Sequence, residues 1–175
     1  MKPFRLWVYR LLTCLLPESR GFDLKNALLR WAGAKIGSNV RVYSSARIVG
    51  TGRLIIGDDV HIGSGVFISS IAPAEIRLGS QIDIGPQVMI LTGSHEINVE
   101  NNLKDPLYGH IAGKGTEKSV YVGNGSWLGA RSLILPGVTL ARRTLVAAGS
   151  VVTRSSDKEA AMLAGSPAVE KKIYR

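Results

Sequence analysis

The feature that most constrains this chain is an aliphatic residue that returns every six positions. Ile36, Val42, Ile48 and Leu54 form a first run, and Ile56, Ile62 and Ile68 resume it after a slip of two. A further slip precedes Leu78, Ile84 and Ile90; after a long interruption come Val122, Leu128, Ile134, Leu140, Val146 and Val152. Gly follows the aliphatic residue in many units, as at Gly37, Gly57, Gly63, Gly79, Gly85, Gly123 and Gly129. Four positions after it stands a small or β-branched residue, among them Val60, Val66, Val88, Ser126, Ser132, Val138 and Ser150. A coiled coil repeats at about 3.5 residues and an amphipathic helix at about 3.6, so neither accommodates this pattern. Hairpin arrays space their turns at roughly 8–12 residues. Six residues instead suit one short strand with a corner, the aliphatic side chain turned inward and Gly freeing the backbone at the bend. Three such units close a triangular coil, and coils stack at about 4.8 Å with backbone pairing between them. The chain is therefore expected to be an all-β solenoid, a parallel β-helix of hexapeptide repeats.

The repeat also partitions the 175 residues. Residues 1–33 read as a helical segment, 34–154 as the β-helix interrupted by a loop over 93–119, and 155–175 as a C-terminal tail. Phe4, Trp7, Val8, Leu11, Leu12 and Leu15 fall at helical spacing before Pro17, and a second short helix is predicted from Phe22 to Trp31. These helices can cap the open edge of the first coil or pack on a neighbouring subunit. Lys2, Arg5 and Arg10 beside aromatic residues also make the first one a candidate for peripheral contact with a membrane surface. The interruption from Gly93 to Ser119 is rich in Gly, Asn, Lys and His, and so long a loop in a compact domain is usually functional or disordered.

Aromatic residues make up only 6% of the chain, so aliphatic side chains must build the core. The net charge of +9 calls for an anionic partner: a membrane surface, an anionic glycan or cofactor phosphates. Arg41, Arg47 and Arg53 are six residues apart, which on a three-sided coil sends them in three directions rather than along one basic stripe. With no helix-turn-helix, zinc-finger or RNA-binding signature, no nucleic-acid partner is expected. The single cysteine, Cys14, permits no internal disulfide and fits a reducing cytoplasm. No stretch approaches the roughly 20 apolar residues of a membrane span. The apolar run near the N-terminus is broken by Arg10 and is short for a secretory signal, so the expected location is cytoplasmic.

Several segments together resemble the hexapeptide-repeat acyltransferases of the sugar O-acetyltransferase type. Leu91-Thr92-Gly93-Ser94-His95-Glu96 is similar to the family's Thr-x-x-His stretch at the start of its protruding loop. Ser126-Trp127-Leu128-Gly129-Ala130 followed by Leu135-Pro136-Gly137-Val138 resembles its Trp-Ile-Gly…Pro-Gly-Val pattern. Ala147-Ala148-Gly149-Ser150-Val151-Val152-Thr153-Arg154 resembles its Gly-Ala-Gly-Ser-Val-Val-Thr-Lys segment, and Ala164-Gly165-Ser166-Pro167-Ala168 its closing motif. There the chain departs from the family: Val169 stands where a basic residue is usual, and Lys171 and Lys172 follow. The resemblance covers about residues 34–172.

The resemblance implies a left-handed β-helix; the repeat alone leaves the hand open, and general rules favour right-handed crossovers. It further implies acetyl-CoA as acyl donor, a homotrimer with sites shared between subunits, and transfer to a hydroxyl of a sugar or surface-glycan precursor. Carried onto this chain, His95 is the general base, a task suited to a side chain whose unperturbed titration falls near neutral pH. Asp83 and Trp127 are candidate acceptor contacts. Ala130, Ala148, Gly149, Thr153, Arg154 and Lys172 are candidate coenzyme contacts, the small residues admitting a pantetheine arm and the cations suiting phosphates. For the group that orients His95, Asp83, Glu100 and a backbone carbonyl stay open, whereas Glu96 would point to the opposite side of a strand. His61 reads as an outward residue of an early coil, and His110 lies in mid-loop. Two other functions compete. A zinc-dependent carbonic-anhydrase-like enzyme would need all three histidines around one open site, and no metal is expected here. A non-catalytic scaffold would leave His95 and the closing motif without a purpose.

Overall fold

The computed structural model describes residues 1–97 and 112–174. It is a parallel β-solenoid of about five turns with two short helices at its N-terminal end. Each turn contributes one strand to each of three walls. The first wall stacks Lys35–Ile36, Arg53–Ile56, Glu75–Leu78, Val120–Val122 and Thr139–Leu140. The second stacks Arg41–Val42, His61–Ile62, Asp83–Ile84, Trp127–Leu128 and Leu145–Val146. The third stacks Arg47–Val49, Phe67–Ser69, Met89–Leu91, Leu133–Ile134 and Val151–Val152.

The hexad residues stand above one another. Ile36, Ile56, Leu78, Val122 and Leu140 are in register in the first wall. Val42, Ile62, Ile84, Leu128 and Val146 are in register in the second, and Ile48, Ile68, Ile90, Ile134 and Val152 in the third. All but Ile36 are buried, and so are the small or β-branched residues four positions later that the sequence singled out. Each fully buried aliphatic side chain contributes about 1.5–3 kcal/mol, and the column they form is continuous through all three walls. Arg41, Arg47 and Arg53 begin a strand of the second, third and first wall respectively, and so face three directions as their spacing requires.

The slips in the repeat fall at a single corner. The interval is eight residues from Ile48 to Ile56, ten from Ile68 to Leu78 and thirty-two from Ile90 to Val122. Each of these lies between a third-wall strand and the next first-wall strand. At this corner the chain can lengthen without disturbing register, because each wall's strands still meet their partners above and below.

The helices are α1 (Pro3–Thr13) and α2 (Phe22–Trp31), the latter with the bounds its sequence predicts. α1 ends four residues before Pro17, at a Cys14 cap whose N–H donates to Arg10 O. Leu6 and Tyr9 of α1 and Leu29 of α2 join the core at the open end of the first coil. The C-terminal segment expected as a tail continues the second wall: Ala161–Gly165 pairs with Leu145–Val146 and then folds back on Ala168–Ile173. The physical reason is the exposed edge of the last coil, whose N–H and C=O groups need partners. Among the described residues, no helix is long and apolar enough to cross a membrane.

Candidate active site

The long interruption begins and ends as strands. Gly93–Ile97 and Ala112–Glu117 pair antiparallel, His95 opposite Gly115, and form an arm that leaves the solenoid between the third wall and the first. Glu100 and His110 lie outside the described residues.

Thr92 fastens the base of the arm. Its side chain is buried, its Oγ1 accepts from Ile71 N–H at 2.8 Å, and its own N–H donates to Ser69 O at 3.1 Å. Lys118 N–H, on the returning strand, donates to Thr92 O at 2.8 Å. Glu75 N–H donates to Ser119 Oγ at 3.1 Å, so the exit of the arm is tied to the coil as well. The Glu75 carboxyl is buried between guanidinium groups, with Arg77 Nη2 3.0 Å from Oε1 and Arg53 Nη2 2.9 Å from Oε2. The hydrogen bond from Arg77, aided by the charge of Arg53, holds this carboxyl below the usual glutamate range despite its burial.

His95 stands on the arm above an open cleft of about 310 Å³, lined by Ser69, Ile71, Leu91, Ser94, Gly115 and Glu117. Its Nδ1 is 3.1 Å from the Gly113 carbonyl oxygen. A carbonyl only accepts, so Nδ1 carries the hydrogen, and in the neutral form of the ring the lone pair is on Nε2. Among the described residues, the Gly113 backbone carbonyl, one of the kinds of orienting group left open by the sequence, touches the ring, whereas Asp83 lies in a different cleft. Ser69, Ile71 and Glu117 were not identified from sequence. The signal for the first two was the slip between Ile68 and Leu78, which supplies the floor of the cleft.

The other candidates lie elsewhere on the protomer. Trp127 and Asp83 are neighbours in the second wall, both exposed, and share a cleft of about 350 Å³ with Tyr43, His61, Ser64 and Pro86. His61 Nδ1 is 3.6 Å from Asp83 Oδ1, and the His61 ring is tilted against Tyr43. Within one chain this cleft shares no lining residue with that of His95. Among the described residues, no group of three His, Cys, Asp or Glu could hold a metal ion.

Ala130, Ala148 and Gly149 stack at the corner between second and third walls, where Gly149 N–H donates to Ala130 O at 2.9 Å. Thr153 and Arg154 are exposed at the opposite end of the third wall, on the corner line from which the arm emerges two coils earlier. Lys172 pairs with Met162 on the C-terminal hairpin, its ammonium 4.9 Å from the Tyr174 ring centre. The coenzyme candidates therefore occupy both borders of the third wall and the end of the second.

The sequence model described as the hexapeptide repeat of succinyl-transferase matches residues 119–154. The provisionally named colanic acid biosynthesis acetyltransferase WcaF of Escherichia coli K12 is 32% identical over 142 residues, covering 81% of this chain and 70% of that protein. The chain belongs to the hexapeptide-repeat acyltransferase family. Galactoside O-acetyltransferase of Lactococcus lactis is 29% identical to this acyltransferase-family chain over 102 residues, 56% of the chain. The chain spans only 45% of the length of that enzyme. The crystal structure of the hexapeptide-repeat acetyltransferase VCA0836 from Vibrio cholerae superposes with a TM-score of 0.68 at 20% identity, covering 97% of this chain and 89% of the other. A second structure of VCA0836, complexed with acetyl coenzyme A, gives 0.61 at 21% identity, with 98% and 86% covered. The hand of the coil comes with this likeness, since a mirror-image coil would not superpose: the solenoid is the left-handed β-helix of the family.

Proposed function

We propose that this chain transfers an acetyl group from acetyl-CoA to a hydroxyl of a sugar or surface-glycan precursor, with His95 as general base. The observation that carries the reading is the hydrogen bond between His95 Nδ1 and Gly113 O, which puts the lone pair of the neutral ring on Nε2, in a residue that lines the cleft. In the reaction, Nε2 removes the proton of the acceptor hydroxyl as its oxygen attacks the thioester carbonyl carbon. The tetrahedral intermediate collapses with rupture of the C–S bond, and the CoA thiolate leaves and takes up the proton held by the imidazole. Supporting the donor are the acetyl-CoA complex of VCA0836 and the small corner residues Ala130, Ala148 and Gly149, beside which a pantetheine arm can run. Thr153, Arg154 and Lys172 are the groups for the phosphates. The names of WcaF and the galactoside enzyme support a saccharide acceptor.

The reading includes a homotrimer. Asp83 and Trp127 belong to a different cleft from His95 within one chain, and an adjacent protomer presenting its second wall to the arm would add both to the acceptor site. A CoA donor and a lone exposed cysteine fit a reducing cytoplasm.

The test is acetyl-CoA calorimetry together with a thiol-release assay over a panel of mono- and oligosaccharides, on the parent and on His95→Asn. The expected result is near-stoichiometric binding by both proteins and a transfer rate about 10²–10⁴ lower in the variant. Unchanged transfer by His95→Asn removes the base, and absence of acetyl-CoA binding by the parent removes the reaction.

A further inference from the structure

We propose that the helix-capped end of the solenoid is a docking surface for an anionic phospholipid bilayer. α1 turns Leu6, Tyr9 and Thr13 to the coil, and these are buried. That packing leaves a second apolar face unused. Phe4, Trp7 and Leu11, separated by three and four residues, fall on one stripe of the helix and are 71%, 60% and 51% exposed. Leu15, four residues further and just past the helix, continues the stripe at 79% exposure. The Phe4 and Trp7 rings stack on each other, centres 6.1 Å apart, and form one broad aromatic surface. A helix apolar on two sides has more hydrophobic surface than its own domain can cover.

The charge distribution selects the partner. Residues 1–53 hold ten of the 22 Lys and Arg but only two of the 13 Asp and Glu, a net +8 of the chain's +9. The other 122 residues are close to neutral. Lys2, Arg10, Arg20 and Lys35 of this end are exposed, while Arg30 donates to Ile36 O at 3.1 Å and to Gly37 O at 2.7 Å. Arg5 is committed to the helix pair: its guanidinium lies 4.9 Å over the Trp31 ring and donates to Trp31 O at 2.8 Å, fixing α1 against α2. An exposed aromatic-aliphatic stripe on the same capped end as exposed cations is the pattern that settles at the headgroup boundary of an anionic membrane. Asp58, Asp59 and Glu75 reach back to Ser38, Asn39 and Arg53 of this end and still leave it a surplus of five cations, which a protein partner for the apolar stripe would not by itself explain. Since no described helix can span a bilayer, the contact is with its surface.

The position has a consequence for the cleft of His95. Its floor residues Ser69 and Ile71 belong to the second coil and the corner that follows it, about one 4.8 Å strand spacing from the capped first coil. An acceptor held at a membrane would thus be presented near the arm. The docking surface itself does not depend on the chemistry proposed for the arm.

The full chain should be floated with vesicles of phosphatidylcholine alone and of phosphatidylcholine with phosphatidylglycerol, at low and high salt. Binding is expected only with phosphatidylglycerol, weakened by salt, with a blue shift of tryptophan emission that needs no variant. Arg10→Glu with Arg20→Glu should lower affinity by about tenfold or more, and Phe4→Ser with Trp7→Ser and Leu11→Ser should abolish flotation while native mass and circular dichroism persist. Failure of the parent to bind phosphatidylglycerol vesicles at low salt overturns the proposal. So does a loss of oligomer mass in the serine variant, which would assign the stripe to contact between copies of the chain. Acetyl transfer to a soluble acceptor reports separately on the catalytic reading, so the two can fail independently.

Discussion

Replacing Thr92 by Val tests whether one hydroxyl holds the arm that carries His95. The substitution nearly conserves volume, so it removes a hydrogen-bonding group without opening a cavity. Ile71 N–H donates to Thr92 Oγ1 at 2.8 Å and has no second acceptor among the described residues. Ser69 O, which receives the hydroxyl at 3.3 Å, keeps the Thr92 N–H at 3.1 Å. The cost is therefore one stranded donor, about 1–3 kcal/mol when buried, and the partial exposure of this pair places it in the lower half of that range. For a chain of this length each kcal/mol lowers the melting temperature by about 2–4 °C, so thermal unfolding of Thr92→Val should fall by about 2–8 °C. Thr92→Ser retains the hydroxyl and should lose no more than about the 0.8 kcal/mol of one methyl group. Hydrogen exchange locates the effect, with the Ile71 amide losing protection while Ile68 and Ile90 keep theirs. A Thr92→Val protein that melts with the parent, or a Thr92→Ser protein damaged equally, refutes the argument. Loosening the arm should also reduce transfer, since a misplacement near 1 Å can cost about 10²-fold in rate.

Two glycines at one corner line should respond differently to alanine. A Cβ at Gly129 would meet Ala148 N at 2.6 Å and Val146 O at 2.7 Å, so Gly129→Ala must spread two coils and should unfold at clearly lower denaturant. Gly149 has a φ of +69° but open space around the added carbon, so Gly149→Ala should cost only about 1–2 kcal/mol. Calorimetry should then show a larger loss in acetyl-CoA binding than that strain explains. Glu75→Gln should cost about 1 kcal/mol at neutral pH, because both partner guanidinium groups face solvent. The folded-state carboxyl titrates lower than the unfolded one, so this contribution is whole above the ordinary glutamate range and fades as pH falls through the lowered value. Denaturant melts of parent and variant should accordingly converge in acid; a constant gap would remove the ion pairs from the account. Ile134→Ala, between Ile90 and Val152 in the column, should cost about 2–5 kcal/mol by urea unfolding, while Met89→Ala on the outer face should cost far less.

The sequence by itself determined the solenoid, because a six-residue aliphatic period can be buried in a triangular coil and in neither helix nor hairpin. It placed the inward residues of all three walls, set the bounds of α2 and broke the rhythm where the arm begins, while Thr92 and His95 were marked by resemblance to the family's motif. Local spacing carries that information, and the coil obeys it turn after turn. Contacts between distant residues do not appear in a period. Only the tertiary structure sent every slip of the repeat to the same corner, so that Ser69 and Ile71 form the floor beneath His95. Among the described residues it brought the Gly113 carbonyl to the imidazole, a partner eighteen residues away supplied by pairing across the arm. Within one protomer it also separated Asp83 and Trp127 from His95, since the first two face outward from the second wall and His95 sits on the arm that leaves at the end of the third. In α1, spacing predicted an amphipathic helix, but only packing against the first coil decided which apolar face is buried and which is left to solvent.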